Sequence, residues 1–115
     1  MSAETDLRAI DRVQHCESMQ DVRRNVDALD DVLVPLLVTR MGYMRQAARI
    51  KADASLVRDE ARIEAIVARV RGRAVAEGGQ PDMMEAVYRH LMEECIAYEH
   101  REFARLRDPG QTAAG

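Results

Sequence analysis

Aromatic residues are scarce in this chain: they make up 3% of it, with one Phe, three Tyr and no Trp. A core without them has to be built from Ala, Val, Leu and Met, and with abundant Glu and Arg that is helix-forming composition. Positive charge is not in excess either, and a formal net charge of −3 argues against nucleic acid as the main partner. Lysine is nearly missing, because Lys51 stands alone among sixteen arginines. Arginine suits forked recognition of carboxylates, whereas lysine acts as a point donor. Cysteine is limited to Cys16 and Cys95, far apart and without metal-ligand spacing to His15, His90 or His100. That pattern predicts reduced thiols in a cytoplasmic protein and no metal site. No apolar run approaches the ~20 residues of a membrane span, and the charged stretch 1–17 does not read as a secretory signal. Gly-rich phosphate loops, internal repeats and strand-like alternation are missing as well, and no cofactor is implied.

What remains is an all-α reading. At 115 residues the chain is one small domain with a thin core. Residues 1–17 are polar, without register, and are expected to form a flexible extension. Ser18, three residues before Asp21, reads as an N-cap. An apolar stripe then runs through Val22, Val26, Leu29, Leu33, Leu36, Tyr43, Ala47 and Ile50. A helix reaching about Lys51 is ~50 Å long at ~1.5 Å per residue. That is too long for a compact monomer and points to a helix crossing between protomers. Pro35 predicts a bend and not a stop, since the register continues across it. After the loop "ADASLVRD", Asp59 caps a second helix with Ile63, Ile66, Val67 and Val70 inward, and Gly78 and Gly79 end it. Pro81 opens a third helix to about Arg107, with Met84, Val87, Tyr88, Leu91, Cys95 and Phe103 inward. The domain spans residues 18–107, and 108–115 is expected to be a disordered tail.

Two charges sit among apolar neighbours. Arg40 falls on the stripe in register, and Lys51 follows eleven residues later, about three turns and ~16 Å along the same face. A ligand lying there touches both. Arg23 precedes Arg40 by seventeen residues, ~25 Å along the helix and turned by roughly 100°. If both serve one site, Arg23 comes from a second copy of the chain. Glu99 falls among Met92, Cys95, Ile96 and Phe103 at helical spacings, where an unpaired carboxylate is costly. Taken singly, Arg40 reads first as a snorkelling side chain or half of a buried ion pair. Glu99 bonded to Arg40 or Lys51 as a core salt bridge is the matching reading.

Together these positions resemble the all-helical chorismate mutase family, the AroQ class. The likeness covers about residues 20–106. It rests on "VRR" with "ALD" shortly after, on the Arg and Lys eleven apart in "RMGYMRQAARIK", and on "VRDEAR". The resemblance implies an intertwined homodimer whose long first helices pair and whose sites draw on both chains. It implies a small dianionic substrate, chorismate, rearranged to prephenate without cofactor or metal. The family's carboxylate-binding arginines match Arg23 (from the partner chain), Arg40 and Arg62, and its ether-oxygen lysine matches Lys51. Asp59 matches a loop residue near the substrate hydroxyl. Cys95 stands where a small polar residue often lines the pocket, and Glu99 where a glutamine usually donates to the ether oxygen. A carboxylate donates only when protonated, so a donating Glu99 is expected to favour activity at mildly acid pH. Ile63 occupies a position where ordinary mutases often place a Glu. An aliphatic side chain there, with the shortened loop after Lys51, resembles the isochorismate pyruvate-lyase branch, whereas Asp59 resembles mutases proper. Isochorismate or an amino analogue of chorismate is the alternative substrate. A non-catalytic helical dimer is a third reading, and the joint presence of Arg23, Arg40, Lys51 and Arg62 stands against it.

Overall fold

Each helix of the protein begins and ends where its local chemistry allows. The computed structural model describes residues 7–108; among these are three α-helices, two short 3-10 turns and no strand. Helix α1 runs Met19–Ile50, its first turn capped by the Ser18 hydroxyl, which accepts from the Asp21 N–H at 3.2 Å. It continues through Pro35, and the Thr39 hydroxyl donates to the Pro35 carbonyl at 3.1 Å. Helix α2, Glu60–Ala76, starts under the Asp59 carboxylate, which accepts from the Arg62 N–H at 3.0 Å. Its end is a Schellman turn: Gly79 N–H reaches the Ala74 carbonyl at 2.8 Å and Gly78 N–H the Val75 carbonyl at 3.1 Å. Gly78 has φ +79°. Helix α3, Pro81–Arg107, opens with its proline in the first turn, where no donor is lost.

The first seventeen residues were expected to be loose, and the described part of them holds one docked feature. The 3-10 turn Ala9–Arg12 lies on the α2–α3 connection, where Ile10 N–H donates to the Glu77 carbonyl (3.1 Å) and Ala9 N–H to Glu77 Oε1 (2.8 Å). A Cβ on Gly78 would collide with the Ile10 side chain, so both the backbone angle and this contact require glycine. Apart from Asp108, the expected C-terminal tail lies outside the described residues.

Helix α3 is the element on which both other helices pack. The core is small: Ile63, Val67 and Met92 are buried together, with Ile66, Tyr88 and Ile96 packed against them. In α1 the expected stripe holds only in part. Its second half meets α3 through Arg40, Met44, Ala47 and Ala48, while Tyr43 and Ile50 are exposed. A run in steps of four and three drifts around a 3.6-residue helix, so its far members leave the seam. Val87, expected inward on α3, is also exposed, and Met92 is buried. From the start of α1 to just past its midpoint, Val26, Leu29, Leu33 and Leu36 are open to solvent, Leu29 at 67% and Leu36 at 61%. The molecule measures 56 × 32 × 29 Å, with a radius of gyration of 18.5 Å, against about 13 Å for a compact domain of 100 residues. No helix among the described residues is long and apolar enough to cross a membrane.

A polar cluster joins α1 to the end of α3. Buried Glu102 accepts from Arg45 Nε at 2.9 Å and from Arg105 at 2.8 and 3.0 Å, and Arg45 also reaches the Tyr98 hydroxyl at 3.3 Å. Arg105, with Arg45 adding to it, holds the Glu102 carboxyl below the usual carboxylate range. A depressed folded-state pKa stabilises above the unfolded value, about 4.3 for Glu, and that contribution is lost as pH falls through the folded value. Glu102→Gln is therefore expected to lower Tm at pH 7, with the gap to the unaltered protein narrowing below pH about 4. Thermal melts from pH 3 to 8 check this; a gap that stays constant down to pH 3 would mean that the cluster carries no proton-linked stability.

Candidate active site

The C-terminal half of α1, the start of α2 and the middle of α3 bring most of the expected residues together. Lys51 is the C-cap of α1, so its side chain leaves the helix towards α3. Its Nζ donates to Glu99 Oε2 at 2.7 Å and to the Val57 carbonyl at 3.3 Å. Glu99 is 3% exposed, the most deeply buried charged residue among the described ones, while Lys51 is half-buried. The core salt bridge that the sequence allowed for Glu99 is thus realised with Lys51 and not with Arg40. A carboxylate accepting from an ammonium is not, in this arrangement, a donor.

Arg40 has a different environment. One guanidinium nitrogen lies 3.3 Å from Cys95 Sγ, and its carbon is 5.8 Å from the Tyr88 ring centroid. It has no carboxylate partner among the described residues. Cys95, one turn before Glu99 on α3, is buried at 2% exposure, so its thiol serves as the soft acceptor for Arg40. Arg40 and Arg62 share the wall of a cavity of about 650 Å³, large enough for a small organic anion. Lys51 and Glu99 are not among the residues that line it.

Sequence reasoning missed part of this lining. Arg69 and Arg73 follow Arg62 on the cavity side of α2, and Ile10 and Val13 of the N-terminal segment complete the wall. Spacings of seven and eleven from Arg62 could have placed the two arginines on one face; the polar run around Ile10 gave no such signal. Arg73 pairs with Glu77 at 3.0 Å. Arg40, Arg62 and Arg69 have no ion pair among the described residues, whereas Arg58, Arg71 and Arg89 each bind acids at 3.0 Å or less. Three guanidinium groups without an ion pair of their own thus lie on the wall of one cavity, which gives it a positive lining.

The other expected residues lie elsewhere. Asp59 is occupied as the α2 cap. Ile63 is in the core cluster and not on the cavity wall. Arg23 is exposed in the first turns of α1 and has no ion pair among the described residues. Its distance of ~25 Å from Arg40 along a continuous helix keeps it out of the same chain's cavity.

Fold and site together define an all-α protein with a guanidinium-lined cavity and a lysine–glutamate pair whose carboxylate is buried. The sequence profile of the chorismate mutase type II family matches residues 22–100, and the chain belongs to that family. At the family level this carries chorismate mutase activity, an isomerase reaction with chorismate as substrate. No curated protein matches the chain.

The ion pair makes a direct prediction. Glu99→Ala strands the partly buried Lys51 ammonium and is expected to destabilise by about 1–3 kcal/mol. Glu99→Gln retains an acceptor for Lys51 and should cost less than about 1 kcal/mol. Urea unfolding followed by circular dichroism compares them, and equal midpoints for the two variants would remove the pair from the stabilising contacts.

Proposed function

We propose that the protein is a chorismate mutase working as an intertwined homodimer, converting chorismate to prephenate by a Claisen rearrangement. The observation that carries this reading is the set of guanidinium groups without counter-charge, Arg40 and Arg62 in the cavity and Arg23 at the far end of α1. Chorismate is a dianion, and forked arginines hold its two carboxylates in the folded, reactive conformer. The rearrangement needs no acid, base, nucleophile or metal. Negative charge develops on the breaking ether oxygen, and a donor aimed there stabilises charge that exists only in the transition state.

Lys51 is that donor. Its ammonium has three N–H groups, of which Glu99 and the Val57 carbonyl engage two, leaving one for the ether oxygen. Glu99 then acts as a carboxylate that orients Lys51, and the acid-pH advantage expected for a donating Glu99 does not arise. Cys95 and Tyr88 fix the Arg40 fork, and Asp59 sets the start of α2 from which Arg62 extends. Arg23 joins the site from the partner chain, which is also what would cover the exposed first half of α1. The runner-up is isochorismate pyruvate lyase, and Ile63 favours it: an aliphatic side chain in the core leaves the ring hydroxyl without a carboxylate at that position.

Chorismate consumption at pH about 5 and about 8, with isochorismate in parallel, tests the reading. Prephenate formed no faster at the lower pH, and about 10²–10³-fold more slowly by Lys51→Ala, is the expected result. Salicylate and pyruvate from isochorismate, with chorismate nearly untouched, would move the protein to the lyase branch. Turnover of neither substrate would leave a helical scaffold.

The shared site has its own test. Arg23→Ala and Arg40→Ala chains are each expected to be inactive. After subunit exchange of a 1:1 mixture, a heterodimer assembles one intact site, so about a quarter of full activity should return. No recovery after exchange verified by mass spectrometry would place both arginines outside a common site.

A further inference from the structure

The end of α3 folds back onto the residue that the proposed reaction depends on most. The last carbonyls of an α-helix have no partner within the helix and carry the negative end of its dipole. At the C-terminus of α1 they are met by Arg107, the final residue of α3. One of its guanidinium nitrogens donates to the Ala48 carbonyl at 2.9 Å; the other donates to Lys51 O at 2.6 Å and to Arg49 O at 3.4 Å. Its side chain is itself held in place: the guanidinium carbon stands 3.6 Å over the centroid of Phe103, one turn earlier on α3. The same side chain also reaches the Phe103 carbonyl at 3.4 Å. The planar fork suits this geometry, because one guanidinium can meet several carbonyls at fixed angles and stack on a ring at once.

We infer that Arg107 is a positioning residue for Lys51, fixing the backbone at the exit of α1 so that the ammonium lies between Glu99 and the substrate. This rests on Lys51 being the transition-state donor. Lys51 is the first residue beyond the helix, with an extended backbone, and Arg107 takes up its carbonyl. Without that hold the chain is free to turn at Lys51, and the loop from Lys51 to the Val57 carbonyl loses one of its anchors. Arg107 lies outside the stretch matched by the family profile, residues 22–100.

The test uses two readouts. In kinetics, Arg107→Ala is expected to lower kcat about 10- to 100-fold with KM within about threefold, and Arg107→Lys should fall between. Active sites are titrated with an oxabicyclic transition-state analogue, well below each variant's Tm, so that loss of folded protein does not count. Unchanged kcat per titrated site, or a change confined to KM, would overturn the inference. The second readout does not need activity. Lys51 is the only lysine, so ¹³C-lysine labelling gives one Cε signal. Arg107→Ala should move that signal towards the free-lysine position while helicity is retained, and Phe103→Leu should move it less. A Lys51 signal unmoved in folded Arg107→Ala would also overturn the inference. If the parent protein turns over neither substrate, or Lys51→Ala is fully active, the functional reading fails instead, and the labelled signal still decides whether Arg107 holds Lys51.

Discussion

Among the described residues, helix α1 packs on α3 along its second half. At ~1.5 Å per residue its 32 residues extend ~48 Å, while a domain of this length has material for one small core. Helix α3 supplies the packing surface for both neighbours, and its contact with α1 lies along the second half, from about Arg40 to the C-cap. The consequence is a row of Val and Leu side chains in water on the first half. Patches of that kind on a folded chain mark surfaces to be covered. The same geometry separates Arg23 from Arg40. An exposed apolar face and an Arg23 held far from the cavity are thus two results of one length mismatch, and on the proposed reading a second chain lying along α1 answers both.

Counter-charge distinguishes the structural arginines from those of the cavity. Arg58, Arg71 and Arg89 tie α2 to α3 through acids at the surface, where such pairs are worth about 0–1 kcal/mol each. Arg40 lies half-buried with a thiol and a ring for company. A buried ion pair was the first reading of an arginine in an apolar seam, and the carboxylate that such a pair needs is not beside it. Held in place by Cys95 and Tyr88, Arg40 has its rotamer set before any ligand arrives. That is preorganisation, which reduces the ordering cost of binding.

Much of this was legible from local rules. Ser18, Asp59, Gly78 and Pro81 mark the helix ends because each meets a requirement of the adjacent backbone, which neighbours in space do not alter. The Arg40–Lys51 spacing was readable because a helix converts eleven residues into one face. The inward face was harder to read. Tyr43, Ile50 and Val87 are apolar and roughly in register, but burial depends on where α3 crosses, and that is fixed by packing between elements distant in sequence. Ile10 and Val13 on the cavity wall were hidden for the same reason, since the contacts of Ile10 with Glu77 and Gly78 span more than sixty residues. Arg107 gave no signal at all. One more arginine at the end of an arginine-rich helix looks like a solvated charge until the carbonyls of α1 are seen beneath it.

The lysine–glutamate pair is where the resemblance and the geometry pull apart. A glutamine at position 99 would donate to the ether oxygen directly; a glutamate bonded at 2.7 Å to Lys51 cannot. Breaking the pair to free the lysine would be unfavourable, because Glu99 is too deep for water to replace its partner. On the proposed reading the pair is kept and the third ammonium hydrogen serves the ether oxygen, which avoids that step. The ether oxygen of the ground state is a weak acceptor, so the spare donor gains little when substrate binds. It gains much more as the C–O bond lengthens and the oxygen becomes negative, which is the differential stabilisation that raises kcat. In this arrangement the negative Glu99 repels the developing oxyanion somewhat, and the arrangement works only if Lys51 stands between them. Its placement is therefore more critical than in a site with two donors, and a chain with Glu at this position has reason to fix the lysine's backbone with an arginine from another helix.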